Sequence, residues 1–194
     1  MSISAPPPAD VTALLLAAGA SRRFGDDNKL LVPFRGKPLV GHAAQALRDL
    51  PRIRLIAVIT DPQTAPYLDG FEVIRIAQGQ QSDSLRAGLA AAGAPARILI
   101  VLGDMPNVTP GLLADVMAAC TDEMPSASRD LTGPPMPPAC FPQSWVPRIA
   151  ALGGDQGAGR LIRDLPAGAL IDAPGLLGDV DTLDQLSRME KGAG

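Results

Sequence analysis

Aromatic side chains and positive charge are both scarce in this 194-residue sequence. It has four Phe, one Trp and one Tyr, and its 17 Lys and Arg are outnumbered by 20 Asp and Glu, for a net charge of −3. A nucleic-acid surface needs clustered positive charge and rings on which bases can stack. The composition therefore argues against a broad nucleic-acid interface. A small anionic ligand held by a few local cations stays compatible with it.

Histidine is nearly absent as well. His42, the single histidine, lies in LVGHAAQAL, whose apolar residues recur at helical spacing, so it is predicted on the polar side of a helix. One histidine excludes a multi-histidine metal site. A Ser-His-Asp triad would need His42, and no nucleophile-elbow motif accompanies it. Catalysis would therefore depend on carboxylates, cations, backbone amides or a bound metal.

Cysteines and long apolar runs are also few. Cys120 and Cys140 have neither CxxC spacing nor a nearby histidine, which argues against a zinc site and a disulfide framework. We expect two reduced, buried thiols. The apolar stretch near the start follows MSISAPPPAD, which lacks the positive charge of a signal peptide, and no run has the length of a membrane span. The expectation is a cytoplasmic protein without membrane contact.

The remaining sequence alternates between strand-like and helix-like segments. Residues 1–9 are proline-rich and predicted disordered, residues 10–190 are predicted to form one domain, and residues 191–194 are predicted to fray. Strands are predicted at Val11–Ala17, Arg54–Thr60, Phe71–Ile76, Arg97–Leu102 and Ala169–Asp172, and Pro138–Phe141 is a short segment before a predicted helix. Helices are predicted at Leu39–Leu50, from Ser84 as N-cap to about Ala92, from Pro110 after a Thr109 cap, at Ser144–Leu152, from near Asp155, and after Thr182 with Gln185 at capping-box spacing. Residues 123–138 are predicted to be loop.

This alternation predicts an α/β fold: a three-layer, Rossmann-like arrangement with a mostly parallel sheet and helices on both faces. In such sheets, ligands bind beyond the carboxyl ends of the strands. Two conspicuous stretches fall at such ends. One is AAGASRR after the first strand, and the other is GDMP after Arg97–Leu102.

The first stretch, LAAGASRRFG, combines small residues with basic ones. Ala17, Ala18 and Gly19 let a ligand approach the backbone amides, while Arg22 and Lys29 supply positive charge. It is neither a Walker A loop nor a GxGxxG loop. On spacing alone, a phosphate site and a solvated turn both remain open.

The second stretch, VLGDMP, places a carboxylate directly after a buried strand. Asp104 would lie at the same edge as the basic loop, and Pro106 stiffens the chain beyond it. A Mg²⁺ that is bound mainly by substrate phosphates is typically held by one or two protein carboxylates. The alternative is an aspartate that only turns the chain.

Six segments, in order, resemble the molybdopterin nucleotidyltransferases. They are Leu16–Gly25 with Lys29, PFRGKPLV (Pro33–Val40), GQQSDSLRAGL (Gly79–Leu89), VLGDMPNV, LGGDQGAGRLI and GDVDTLDQL. They run from Leu14 to about Leu186, nearly the whole chain. The Ala-Ala-Gly of the loop resembles the cytidylyltransferase branch more than the Ala-Gly-Gly usual in guanylyltransferases. Two departures are Gly159, where the family usually has arginine, and the absence of a histidine from GPPMPPACF.

The resemblance implies a reaction of CTP with molybdenum-molybdopterin that gives the cytosine dinucleotide and pyrophosphate, with Mg²⁺ as cofactor. It implies catalytic roles for Arg22, Lys29 and Asp104. Nucleotide contacts are implied for Leu16, Ala17, Ala18, Gly19, Ser21, Arg22, Lys29, Ser82, Ser84 and Asp104. Asp104 would hold the metal with Asp179 as a second candidate, and Asp155 would touch the acceptor. Asp155, Asp179 and Ser84 could equally serve as turn or cap residues.

Other functions remain open at this point. They are a guanylyltransferase acting on the same acceptor, a cytidylyltransferase acting on a sugar phosphate or methylerythritol phosphate, and a delivery protein that binds the finished cofactor. A molybdoenzyme or its maturation chaperone is the expected recipient of the product.

Overall fold

The computed structural model of the chain describes residues 11–18, 28–77, 80–154, 157–180 and 182–191. The predicted tail at residues 1–9 lies outside these ranges, as does the predicted tail at 191–194 except Lys191, which is the last residue of a helix. So do four of the predicted site residues: Gly19, Ser21, Arg22 and Asp155.

A seven-stranded sheet forms the centre of the fold. Its strands, with a separate two-stranded hairpin (β2 and β3), are β1 (Val11–Ala17), β2 (Pro33–Phe34), β3 (Lys37–Pro38), β4 (Ile53–Ile59), β5 (Glu72–Arg75), β6 (Arg97–Leu102), β7 (Ser126–Arg129), β8 (Met136–Pro142) and β9 (Leu170–Asp172). The sheet order is β5-β4-β1-β6-β8-β7-β9. Only β8 runs antiparallel to its neighbours in this sheet. The predicted α/β class with a mostly parallel sheet is confirmed.

The chain reverses its direction of winding at β1. Strand β4 pairs with one side of β1 and β6 with the other, both in parallel register. In doubly wound sheets, the crevice at such a switch point is where ligands bind. The carboxyl ends of β1 and β6 are therefore the expected position of a site.

Helices cover both faces of the sheet. They are α1 (Leu39–Arg48), α2 (Gln81–Ala92), α3 (Pro110–Ala119), α4 (Val146–Ala150), α5 (Gly159–Ile162) and α6 (Leu183–Lys191). No helix in the part of the chain described here is long and apolar enough to cross a membrane.

Strand β1 shows why the sheet needs both layers. Leu15 packs into the cluster beneath α1 and α3, whereas Leu14 and Leu16 pack into the cluster that contains residues of α2, α4 and α5. Successive side chains of a strand point to opposite faces, so a continuously apolar strand must be covered twice. Burial of both faces fixes β1 in the middle of the sheet.

Several local predictions are confirmed. Strands β1 and β6 have the predicted bounds, and Thr109 caps α3 by accepting a hydrogen bond from the Leu112 amide at 3.2 Å. Thr182 accepts one from the Gln185 amide at 3.2 Å, ahead of α6. Cys120 and Cys140 are buried and not in a disulfide.

Other predictions need correction. Ser84 is not an N-cap, because α2 begins three residues earlier, at Gln81, where Gln80 and Asp83 form a capping box. The predicted loop at 123–138 contains β7, and the helix expected near Asp155 is assigned only at Gly159–Ile162. The helix expected at Ser144–Leu152 consists of a 3-10 turn (Gln143–Trp145) followed by α4.

Candidate active site

The carboxyl ends of β1 and β6 lie in direct contact. The Gly103 amide donates a hydrogen bond to the Leu16 carbonyl at 2.9 Å. A Cβ placed on Gly103 would lie 3.3 Å from both Ala17 Cβ and Leu16 O, so glycine permits this close approach. Asp104 follows at once and therefore leaves the sheet beside the end of β1.

Lys29 reaches the same point from the segment after the first loop. It begins a 3-10 turn (Lys29–Leu31) that is capped by Asn28, whose side chain accepts a hydrogen bond from the Leu30 amide at 3.0 Å. The Asn28 amide also donates to Asp61 Oδ2 at 2.9 Å, which holds the pKa of the Asp61 carboxyl below its usual range. This cap anchors the turn to the loop after β4 and so fixes the starting point of the lysine side chain.

The Lys29 ammonium and the Asp104 carboxylate form an ion pair. Lys29 Nζ lies 2.7 Å from Asp104 Oδ2 and donates a second hydrogen bond to the Val180 carbonyl at 3.1 Å. The two side chains are only 10% and 19% exposed. In such surroundings charge interactions are stronger than in bulk water, so each group stabilises the charge of the other more than it would at the surface.

Asp104 has capacity for one more cation. Its Oδ1 atom is buried and has no hydrogen-bond partner among the described residues. A buried carboxylate oxygen without a partner is costly unless something else compensates it. Carboxylate oxygens are the ligands that Mg²⁺ prefers in proteins, so this atom fits a divalent cation.

The segment before α6 closes one side of the site. The Val180 amide donates to the Asp104 carbonyl at 3.1 Å, and the Val180 carbonyl accepts from Lys29. The chain at Val180 is therefore bound to both members of the ion pair. Asp179, the second predicted metal ligand, lies next to Val180 with an exposed side chain. Among the residues described, no three His, Cys, Asp or Glu side chains cluster as a metal site.

The first turn of α2 forms another polar surface. Because α2 leads from β5 to β6, both parallel to β1, this turn lies at the carboxyl edge of the sheet. Ser82 and Ser84 are buried there, and the Ser82 hydroxyl has no hydrogen-bond partner within the described ranges. The Ser82 amide donates to the Gly154 carbonyl at 3.4 Å, so the loop that leads to Asp155 lies against this turn.

The structure thus brings together part of the predicted site. Leu16, Ala17, Ala18, Lys29 and Asp104 meet at the ends of β1 and β6. Ser82 and Ser84 lie on α2 at the same edge, and Asp179 directly precedes Val180 in the chain. The Val180 carbonyl is a contact that sequence reasoning missed, because a main-chain oxygen carries no residue-type signal.

The chain is similar in sequence and fold to known proteins. The model of the MobA-like NTP transferase domain matches residues 13–169. The purine catabolism protein PucB of Bacillus subtilis is 29% identical over 201 residues, covering 92% of this chain and 95% of PucB. The crystal structure of Rv0371c from Mycobacterium tuberculosis is 29% identical, covers 93% of this chain and 98% of its own, and superposes with a TM-score of 0.79.

Two further matches bear on metal and substrate. Rv0371c was also solved as a complex with manganese, at 28% identity and a TM-score of 0.77 over 94% of this chain and 99% of that one. A probable molybdenum cofactor guanylyltransferase of Pyrococcus horikoshii is 35% identical over 104 residues, half of each chain. The family match covers most of the sequence. The chain therefore belongs to the MobA-like NTP transferase family and is a nucleotidyltransferase.

Proposed function

We propose that this nucleotidyltransferase joins CMP from CTP to the terminal phosphate of molybdenum-molybdopterin, releases pyrophosphate and depends on Mg²⁺. The observation that supports this most strongly is the partly buried Lys29–Asp104 pair at the switch point of the sheet. It provides a cation for phosphate and a carboxylate for metal within 2.7 Å of each other.

A divalent cation fits the Asp104 carboxylate, whose Oδ1 atom lacks a partner among the residues described. We propose Asp104 as the main protein ligand and Asp179 as a second candidate. Such an ion would neutralise charge on the triphosphate when bound. The manganese complex of Rv0371c makes a divalent metal plausible here.

The proposed reaction needs no general base from the protein. A phosphomonoester has a second pKa near 6 and so arrives largely ionised. One of its oxygens forms a bond to the α-phosphorus, and the bond from that phosphorus to the oxygen that links it to the β-phosphorus breaks, so that pyrophosphate leaves with the electron pair. Lys29 would neutralise charge on the triphosphate. His42 has no role in the proposed reaction. Its Nε2 atom is engaged in a hydrogen bond with the Phe34 carbonyl at 2.8 Å.

For the nucleotide, we propose the end of β1 and the first turn of α2. Leu16, Ala17 and Ala18 would present backbone to the phosphates, together with Gly19, Ser21 and Arg22 of the following loop. The buried Ser82 hydroxyl, which has no partner among the described residues, or the Ser84 hydroxyl would bond the base or ribose. We propose that Asp155, which lies outside the described residues, contacts the acceptor, as the resemblance implies.

Named relatives support alternative substrates. Guanylyltransferases of the molybdenum cofactor match half of the chain, which favours GTP on the same acceptor. The 2-C-methyl-D-erythritol 4-phosphate cytidylyltransferase of Chlamydia caviae is 31% identical over 107 residues, which favours CTP with a different acceptor. We retain CTP with molybdopterin as the proposal, with the cytoplasm as its place of action and a molybdoenzyme or its chaperone as recipient.

The test measures pyrophosphate release with each of the four nucleoside triphosphates against molybdenum-molybdopterin and methylerythritol phosphate. We expect CTP with molybdenum-molybdopterin to give the highest kcat/KM and Asp104→Asn to abolish metal-dependent turnover. The matched control is Asp122→Asn, since Asp122 is 94% exposed and pairs with Arg97 at the start of β6, the opposite end from Asp104. Preferred turnover of GTP or of methylerythritol phosphate would replace the proposal. Tight binding of the finished dinucleotide without turnover would indicate a delivery protein.

A further inference from the structure

Arg129 and Asp172 form an ion pair at the same edge of the sheet as Asp104. Strands β7 and β9 run parallel to β6, so their last residues, Arg129 and Asp172, lie at its carboxyl edge. These two residues are register partners. The proposed function has so far used neither.

Asp172 binds the guanidinium of Arg129 through its Nε atom. Arg129 Nε donates to Asp172 Oδ1 at 2.6 Å, and the aspartate raises the pKa of Arg129. The two terminal nitrogens of this guanidinium have no hydrogen-bond partner within the described residues. A guanidinium carries five N–H donors in a fixed fork, so Asp172 orients the fork and leaves most of it open.

The spacing of the strands sets the distance to the reacting centre. One strand, β8, lies between β6 and β7. Neighbouring strands are about 4.8 Å apart, so Arg129 is offset from the Asp104 strand by about 10 Å along the edge. The first residues of β8, which lies between β6 and β7, are Met136, Pro137 and Pro138. They carry no charge, and the prolines have no N–H.

We infer that Arg129 binds the far end of the acceptor, and that the acceptor is therefore an elongated phosphomonoester. Its phosphate lies near Asp104, its uncharged middle lies over the start of β8, and oxygen atoms at its far end accept hydrogen bonds from Arg129. Asp172 is a positioning residue for that arginine. This inference rests on the proposed function and narrows its acceptor class. The oxygens of a five-carbon polyol phosphate all lie closer to the phosphate than the pterin carbonyl of molybdopterin does, so we expect Arg129 to contribute more to the binding of molybdopterin.

Binding tests the inference separately from turnover. Calorimetry measures the affinity of molybdopterin and of methylerythritol phosphate for wild type, Arg129→Gln and Arg129→Lys, after circular dichroism has shown that each is folded. We expect wild type to prefer molybdopterin, Arg129→Gln to lose at least tenfold in that affinity, and Arg129→Lys to lose less. Methylerythritol phosphate affinity stays unchanged. The control is Arg97→Gln, which breaks a comparable ion pair at the opposite sheet edge.

Asp172 has its own readout. Asp172→Ala raises the KM for the acceptor without changing the KM for the nucleotide, and Asp172→Glu restores it. Asp130→Asn alters the exposed carboxylate next along the chain and leaves both constants unchanged. Equal molybdopterin affinity in Arg129→Gln and wild type, a wild-type preference for methylerythritol phosphate, or binding of neither compound overturns the inference. Normal binding without pyrophosphate release counts against the proposed function instead.

Discussion

The Lys29→Met substitution tests the ion pair at the centre of the site. Methionine keeps the length of the side chain and removes its charge. Asp104 then loses the partner of its Oδ2 atom, while its Oδ1 atom already has none among the described residues. A carboxylate that is 19% exposed would be left without a compensating positive charge.

The expected loss of stability follows from that burial. Breaking a buried pair by removing one partner costs about 3–5 kcal/mol, and the residual exposure of Asp104 favours the lower end, about 3 kcal/mol. For a chain of this size, such a loss lowers Tm by about 6–12 °C. In the double variant Lys29→Met/Asp104→Asn no charge remains, so we expect it to be more stable than Lys29→Met alone.

Urea unfolding and thermal melts measure these differences, with Lys37→Met of the β2–β3 hairpin as control. Added Mg²⁺ should raise the Tm of Lys29→Met, because a divalent cation compensates the carboxylate in place of the ammonium. A Lys29→Met protein as stable as wild type would refute the reasoning. So would additive losses in the double variant, since they would show that the two groups do not interact.

Three other predictions concern histidine, packing and the α2 turn. Burial lowers the pKa of His42 below 6.5, so this histidine takes up its proton at higher pH in the unfolded chain than in the folded one. Stability should therefore fall as the pH drops below about 6.5. Urea midpoints between pH 7 and 5 should show a smaller fall for His42→Gln. Gly88→Ala would bring a Cβ within 3.1 Å of Leu14 Cδ1 and should cost about 1–3 kcal/mol in unfolding free energy, whereas an unchanged melt would mean that α2 shifts freely. Ser82→Ala should raise the KM for the nucleotide by about tenfold at unchanged stability, because the hydroxyl has no partner among the described residues and is proposed to bond the nucleotide. An unchanged KM with lower stability would make Ser82 structural.

The sequence was most informative where one local signal dominated. Strands β1 and β6 are short apolar runs without competing helical periodicity, and the fold buries both of their faces. The Thr109-Pro110 start combined a cap with the helix position that tolerates proline. The residues that follow β1 and β6 could therefore be expected at one edge, and Lys29 and Asp104 meet there.

Strand β7 shows where local signals fail. Its sequence, SASR, has no apolar alternation, yet its backbone pairs with β8 on one side and β9 on the other. Buried Ser126 and Ser128 donate their hydroxyls to the carbonyls of Val116 and Pro138, which removes the cost of burying them. Tertiary pairing decides this strand, so the arginine at its end was not recognised as part of a site.

The start of α2 illustrates competition between two valid caps. Ser84 is a good cap by residue type, but Gln80 and Asp83 satisfy each other's backbone amides and add a turn to the helix. That extra turn places Ser82 and Ser84 inside the helix with their side chains buried. Ligand contacts by these serines stay a prediction, and the observation that supports it is one the sequence did not supply: the Ser82 hydroxyl has no hydrogen-bond partner among the described residues.

Lys29 and Asp104 are proposed to hold a metal-bound nucleoside triphosphate at the ends of β1 and β6. Calorimetric titration of CTP with and without Mg²⁺, into wild type and Asp104→Asn, tests this proposal most directly. We predict that Mg²⁺ tightens CTP binding to wild type at least tenfold and has no such effect on Asp104→Asn. Equal dependence on Mg²⁺ in both proteins, or binding that ignores Mg²⁺ in wild type, would contradict it.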